Sequence, residues 1–143
     1  MSDINSVREE FMEFMFQGLD HGINSIKDGG GPLIPFTITQ ANDKRDLQRF
    51  VTEKIEDGQL RAQEYLSSLA EKPDFALIAF DGYVTTDGER SDAIIVKAFD
   101  KEEDEGLIFA QRYKHKPENK GIEPVGNAAL IGKEPNIIRN KGG

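Results

Sequence analysis

Residues 75–114 read FALIAFDGYVTTDGERSDAIIVKAFDKEEDEGLIFAQRYK, and this stretch decides the fold. Three runs, Phe75–Tyr83, Ala93–Phe99 and Gly106–Lys114, are dense in the β-branched and aromatic residues that suit a pleated surface. The first two flank Thr85-Thr86-Asp87-Gly88-Glu89-Arg90. Its Asp-Gly pair supplies the positive φ angles that a tight hairpin turn requires. A short acidic loop from Asp100 to Glu105 joins the second run to the third. Neither connection can carry a parallel crossover, so the runs predict an antiparallel meander.

A register follows from loop symmetry. Centring the first hairpin on Asp87-Gly88 pairs Asp81 with Ile94 and Tyr83 with Asp92. Centring the second on Glu103 sets Arg112 beside Ile94 and Lys114 beside Asp92. One face then holds Leu77, Ala79, Val96, Ile108 and Ala110, and ends in Asp81, Tyr83, Asp92, Arg112 and Lys114. The other holds Ile78, Phe80, Ile95, Phe99, Leu107 and Phe109, with Lys97 among them. Both faces are apolar, so both need cover. A slip of one residue would move every side chain of a strand to the opposite face.

Outward from the meander, Ile4–Lys27 reads as a helix. Ser2, Asp3 and Asn5 offer caps, and Glu9, Glu10 and Glu13 sit where the helix dipole favours acid. Its wide apolar stripe includes Phe11, Phe14, Met15 and Leu19, with Phe16 beside it, and Gly18 and Gly22 allow close packing along it. Gly29-Gly30-Gly31 follows a helix and opens a strand, the reverse of a phosphate-binding loop, so it reads as a connector. Leu33–Thr39 alternates as a half-buried strand, and Pro35 predicts an edge position because proline donates no ladder bond. Asn42 or Asp43 then caps a second helical region over Lys44–Glu71. That length would span roughly 42 Å at the helical rise, so a bend near Asp57-Gly58 is expected. After the meander, Ile122–Gly126 and Ala128–Ile131 predict a further strand, and residues 133–143 read as a loose tail. Helices first and strands afterwards make the fold class α+β: two N-terminal helical segments around an edge strand, then an antiparallel meander of three to four strands. The 143 residues suit a single domain.

Composition narrows the function. With no cysteine, disulfides, thiolate metal sites and cysteine nucleophiles are excluded. A net charge of −8 opposes nucleic-acid binding, which needs a basic surface. Met1–Glu10 has no apolar signal core and no run is long enough to span a membrane, so the expected compartment is the cytoplasm. His21 and His115 stand far apart and predict no metal site and no cofactor. A nuclease-like pattern of Pro73-Asp74 and Lys97 fails because residue 95 is isoleucine where a second acid is needed. Lys97 reads as a lysine that lays its stem on apolar surface with its charge in water.

Two candidate sites remain. Asp81, Tyr83, Asp92, Arg112 and Lys114 gather at one end of a sheet face, where they read either as rim ion pairs or as a pocket for a small anionic or zwitterionic ligand. Phe11, Phe14, Met15 and Phe16 read as an interface on the first helix, because they cannot all point at one sheet face. The expected function is a non-catalytic, chaperone-like or protein-interaction domain of the cytosol, acting as a homodimer. The alternative is the small-ligand protein, with or without catalysis.

Overall fold

The computed structural model describes residues 9–28 and 32–138. The three runs are adjacent antiparallel strands: β3 (Phe75–Thr86), β4 (Glu89–Asp100) and β5 (Glu105–His115). Asp87 at φ 53° and Gly88 at φ 82° form the two-residue turn. Asp81 faces Ile94 and Tyr83 faces Asp92, the register expected from that turn.

The second hairpin departs from expectation by one residue. Ile94 faces Gln111 and Ala93 faces Arg112. The cause lies in the turn. Asp100, itself buried, accepts the Glu102 amide on Oδ1 at 3.1 Å and the Glu103 amide on its carbonyl at 2.9 Å. This side-chain-closed turn leaves four residues in the loop, centred between Glu102 and Glu103 rather than on Glu103. All of β5 therefore changes face. Leu107, Phe109, Gln111 and Tyr113 join Leu77, Asp81, Ile94 and Val96, while Ile108, Ala110, Arg112 and Lys114 join Phe80, Ile95 and Lys97.

The N-terminal half needs two corrections. Lys44–Glu71 is not one helical region: Lys44–Arg49 is a strand, β2, and helix α2 spans Ile55–Ser67. Asn42 takes φ 57°, which asparagine tolerates, and Asn42-Asp43 closes a hairpin between β1 (Phe36–Ala41) and β2 instead of capping a helix. The predicted strand is present as β1, but it is interior, paired with β2 on one side and β3 on the other. Pro35 fits because it precedes the first paired residue and contributes only its carbonyl, which accepts the Phe50 amide at 2.9 Å. The true edge, β2, carries Lys44, Arg45, Asp46 and Arg49, charges that discourage pairing with another chain.

The sheet order is β2-β1-β3-β4-β5, and β6 (Ile122–Pro124) and β7 (Ala129–Pro135) share the outer edge of β5. Helix α1 (Glu9–Ile26) packs on the first face. Gly18 lies against Leu77 and Gly22 against Ile94, so the two glycines seat the helix on the sheet, as their spacing predicts. Phe11, Phe14 and Met15 are buried in this core with Phe75, Val96 and Phe109. Helix α2 lies on the second face, where Ala62 and Leu66 meet Ala76, Ile78, Phe99 and Ile138. The caps proposed at Ser2, Asp3 and Asn5, the connector Gly29-Gly30-Gly31 and residues 139–143 lie outside the described residues.

A loose tail from residue 133 is not what forms. Residues 133–135 complete β7, and Asn136 and Ile138 are buried. The Asn136 amide donates to the carbonyls of Asp100 at 2.7 Å and Glu103 at 2.9 Å, and its oxygen accepts the Ile138 amide at 2.9 Å.

One buried polar group has no partner. Thr37 Oγ1, on the α2 side of β1, makes no hydrogen bond among the described residues. An unsatisfied buried hydroxyl costs free energy, and valine has the same shape with higher strand propensity. Thr37→Val should therefore raise stability by about 1 kcal/mol in urea denaturation, and a loss instead would show that the hydroxyl is bonded.

Candidate functional site

The five polar residues proposed as a ligand pocket do not converge. Asp81, Tyr83 and Asp92 share the first face, but the register of β5 sends Arg112 and Lys114 to the second. Lys114 pairs with Glu123 on β6 at 3.1 Å. Tyr83 is 55% exposed, and the Arg90 guanidinium lies 3.9 Å from its ring centroid, a cation–π contact near the hairpin tip.

Gln111 takes the place opposite Ile94 expected of Arg112, and Tyr113 follows on the same face. The Tyr113 hydroxyl donates to Asp81 Oδ1 at 2.7 Å, and the Leu33 amide donates to Asp81 Oδ2 at 3.1 Å. Both carboxylate oxygens are therefore engaged, and Asp81 ties the α1–β1 connection to the sheet. His115 Nε2 lies 3.6 Å from Asp92 Oδ2 in an exposed pair. The arrangement fastens structure and leaves no open anion site with both proposed cations.

Burial, the hydrogen bond to Asp81 and the charges of Asp81 and Asp92 hold the Tyr113 hydroxyl well above the usual phenol range. A phenol that resists ionisation in the folded state stabilises fully below its unfolded value of 10.0, and that stability is lost as pH rises beyond it. Tyr113→Phe should cost about 1.5–3 kcal/mol near neutrality, the range for a bond to a charged group. It should also flatten the alkaline decline above pH 10, measured by urea titration across pH. An unchanged alkaline slope would show that Tyr113 is not its source.

The second face holds a different feature. Ala93, Ile95 and Ala110 form a cluster with the half-buried Phe80, Val84 and Ile108. No residue of α1 or α2 belongs to it, because α2 packs chiefly on β1 and β3 and reaches β4 at Phe99. Gly82, opposite Ala93, and Gly132, opposite Ile108, keep the strip flat. Lys97 borders it, with Nζ 3.2 Å from Glu134 Oε2 and 5.8 Å from the Phe80 ring centroid. Its ammonium is thus paired at the margin of the strip, and its stem lies over apolar surface.

The proposed helix interface contracts to a single residue. Phe11, Phe14 and Met15 fill the chain's own core, and only Phe16, 43% exposed, faces outward. The strip was invisible in the sequence because it depends on which strands α2 leaves bare.

Among the described residues, no helix is long and apolar enough to cross a membrane. No family model, curated protein or solved structure matches the chain.

Proposed function

We propose that this protein is a non-catalytic, cytosolic interaction domain that pairs with a second copy of itself through the bare strip of the second sheet face. The observation carrying this reading is the half-buried row of Phe80, Val84 and Ile108 around the buried Ala93, Ile95 and Ala110, of which Phe80 alone also packs against the α2 cluster. Apolar sheet faces are stabilised by packing against another layer, and here the layer supplied by α2 stops short. A twofold axis through the strip would set the same residues against each other, so one patch suffices. The Lys97–Glu134 pair at the margin offers both signs of charge, so two copies of an acidic chain can meet there without like charges facing. A chaperone-like role fits the same surface, with dissociation exposing an apolar sheet to a client.

The pocket reading is weaker because Asp81 is saturated and Arg112 and Lys114 diverge from it. Pairing predicts a melting temperature that rises with protein concentration, since a folded-state partner stabilises by mass action. Val84→Lys places a charge at the half-buried hairpin end of the strip and should abolish that dependence while leaving circular dichroism unchanged. A concentration-independent wild type would refute the reading.

A further inference from the structure

A concavity lies on the opposite side of the sheet, between the end of α1 and the paired Phe36 and Arg49 ends of β1 and β2. It encloses about 290 Å³ and is lined by Ser25, Ile26, Pro32, Leu33, Ile34, Phe36 and Arg49. Its lining is mixed: Ser25 and Arg49 are polar, Ile26, Leu33 and Phe36 are buried behind the wall, and Ile34 is 41% exposed at the mouth. The volume is at the small end of the range for ligand sites, so it suits a molecule with a short apolar body.

The polar equipment is a guanidinium and an imidazole. Among the described residues, the polar partner of Arg49 is His21, with Nη2 3.5 Å from Nε2. The His21 ring also packs edge-on against Phe36 at 4.9 Å, so it adjoins the cleft through two of its lining residues, Phe36 and Arg49. Guanidinium groups only donate, so the nitrogen facing Arg49 is the acceptor of a neutral imidazole whose proton is on Nδ1. Burial and then the Arg49 charge hold His21 below the usual histidine range. Among the described residues, the Arg49 guanidinium thus faces an imidazole and not a carboxylate. That is uncommon on a chain of net charge −8, where acids outnumber bases by 26 to 18.

We infer that this cleft is a binding site for a small carboxylate with an apolar body, its carboxylate on Arg49 and its body against Ile26, Leu33, Ile34 and Phe36. Arginine suits the task because its planar fork meets both carboxylate oxygens. His21 supplies a second donor once an anion arrives: the bound charge favours the imidazolium, whose Nε2 then donates. No basic side chain lies in the last turn of α1, and Arg49 is the cationic residue lining the cleft.

The site is independent of the strip proposed for pairing, which is on the other face. The test is a proton NMR titration of the full-length protein with 4-methylpentanoate, following the His21 ring resonance. His115→Gln assigns it by elimination. The expected result is a saturable shift of the His21 signal and a rise in its pKa when the carboxylate is bound. The neutral amide of the same acid should produce neither. Arg49→Met should weaken binding at least tenfold, and Arg49→Lys should keep part of it. Ile34→Ser, which leaves both nitrogen groups in place, should weaken binding by removing apolar contact at the mouth. Absence of any saturable shift, equal binding of the amide, or undiminished binding by Arg49→Met would each overturn the assignment.

Discussion

Gly121→Ala is expected to cost about 3 kcal/mol or more, among the larger losses a single surface-loop substitution can produce. Gly121 has φ 100°, outside the region that L-residues adopt readily. A Cβ there would lie 1.9 Å from the Lys27 carbonyl oxygen and 2.9 Å from its carbon. Those atoms are backbone and cannot rotate aside. The same carbonyl accepts the Ile122 amide at 2.9 Å, and Gly121 returns its own carbonyl to the Lys116 amide at 2.8 Å. Relieving the clash therefore separates the end of α1 from the start of β6 and disturbs Ile122, which is buried in the first core. Gly88→Ala is the natural control. Gly88 also has positive φ, at 82°, but a Cβ there meets nothing within 4 Å. It should cost about 1 kcal/mol from backbone conformation alone. Equal losses for the two variants in urea denaturation would show that the Lys27–Gly121 approach is not a close one.

Asn136→Asp is expected to cost about 3–5 kcal/mol at neutral pH, the range for a buried charge left without compensation. The substitution keeps the shape of the side chain and changes what it can donate. The amide group now faces two carbonyl oxygens, of Asp100 and Glu103, and the amide oxygen faces the Ile138 N–H. A carboxylate retains the second role and fails the first, leaving two carbonyls opposed by negative charge. Burial and those carbonyls would raise the folded-state pKa of the new acid above its unfolded value. Stability should then recover as pH falls, because the protonated acid is neutral and offers one O–H. Asn136→Ala, which removes the bonds without adding charge, should cost less. If Asn136→Asp proves no worse than Asn136→Ala at pH 7, the three-bond arrangement is incorrect.

Much of the meander was legible because local chemistry enforced it. Asp87-Gly88 admits one turn and hence one register between β3 and β4, and the structure has that register. The β4–β5 register was not legible from loop length, because the Asp100 side chain closes its own turn and shifts the centre by half a residue. That small displacement carried Arg112 and Lys114 away from Asp81 and brought Tyr113 to it. Of the polar cluster, Asp81, Tyr83 and Asp92 were correctly placed on one face, and the two cations were not. In the N-terminal half, Asn42-Asp43 is equally good as a helix cap and as a hairpin turn. The spacing of Leu47 and Phe50 suits either reading, and pairing with Phe36–Ala41 decided between them. Contacts such as His21 with Arg49, 28 residues apart, have no local signature at all.

The glycines of α1 were legible for a different reason. Gly18 and Gly22 lie four apart on an apolar stripe, which either breaks a helix or lets it approach a neighbour. The unbroken helix from Glu9 to Ile26 and the contacts with Leu77 and Ile94 show the second outcome. Close approach of α1 explains why Phe11, Phe14 and Met15 are consumed internally.

The most direct measurement is the mass of the purified protein by multi-angle light scattering at micromolar concentration, wild type beside Val84→Lys. Pairing through the bare strip predicts twice 16.0 kDa for the wild type and 16.0 kDa for the variant. A wild type at 16.0 kDa, or a variant that remains at twice that mass, would contradict it.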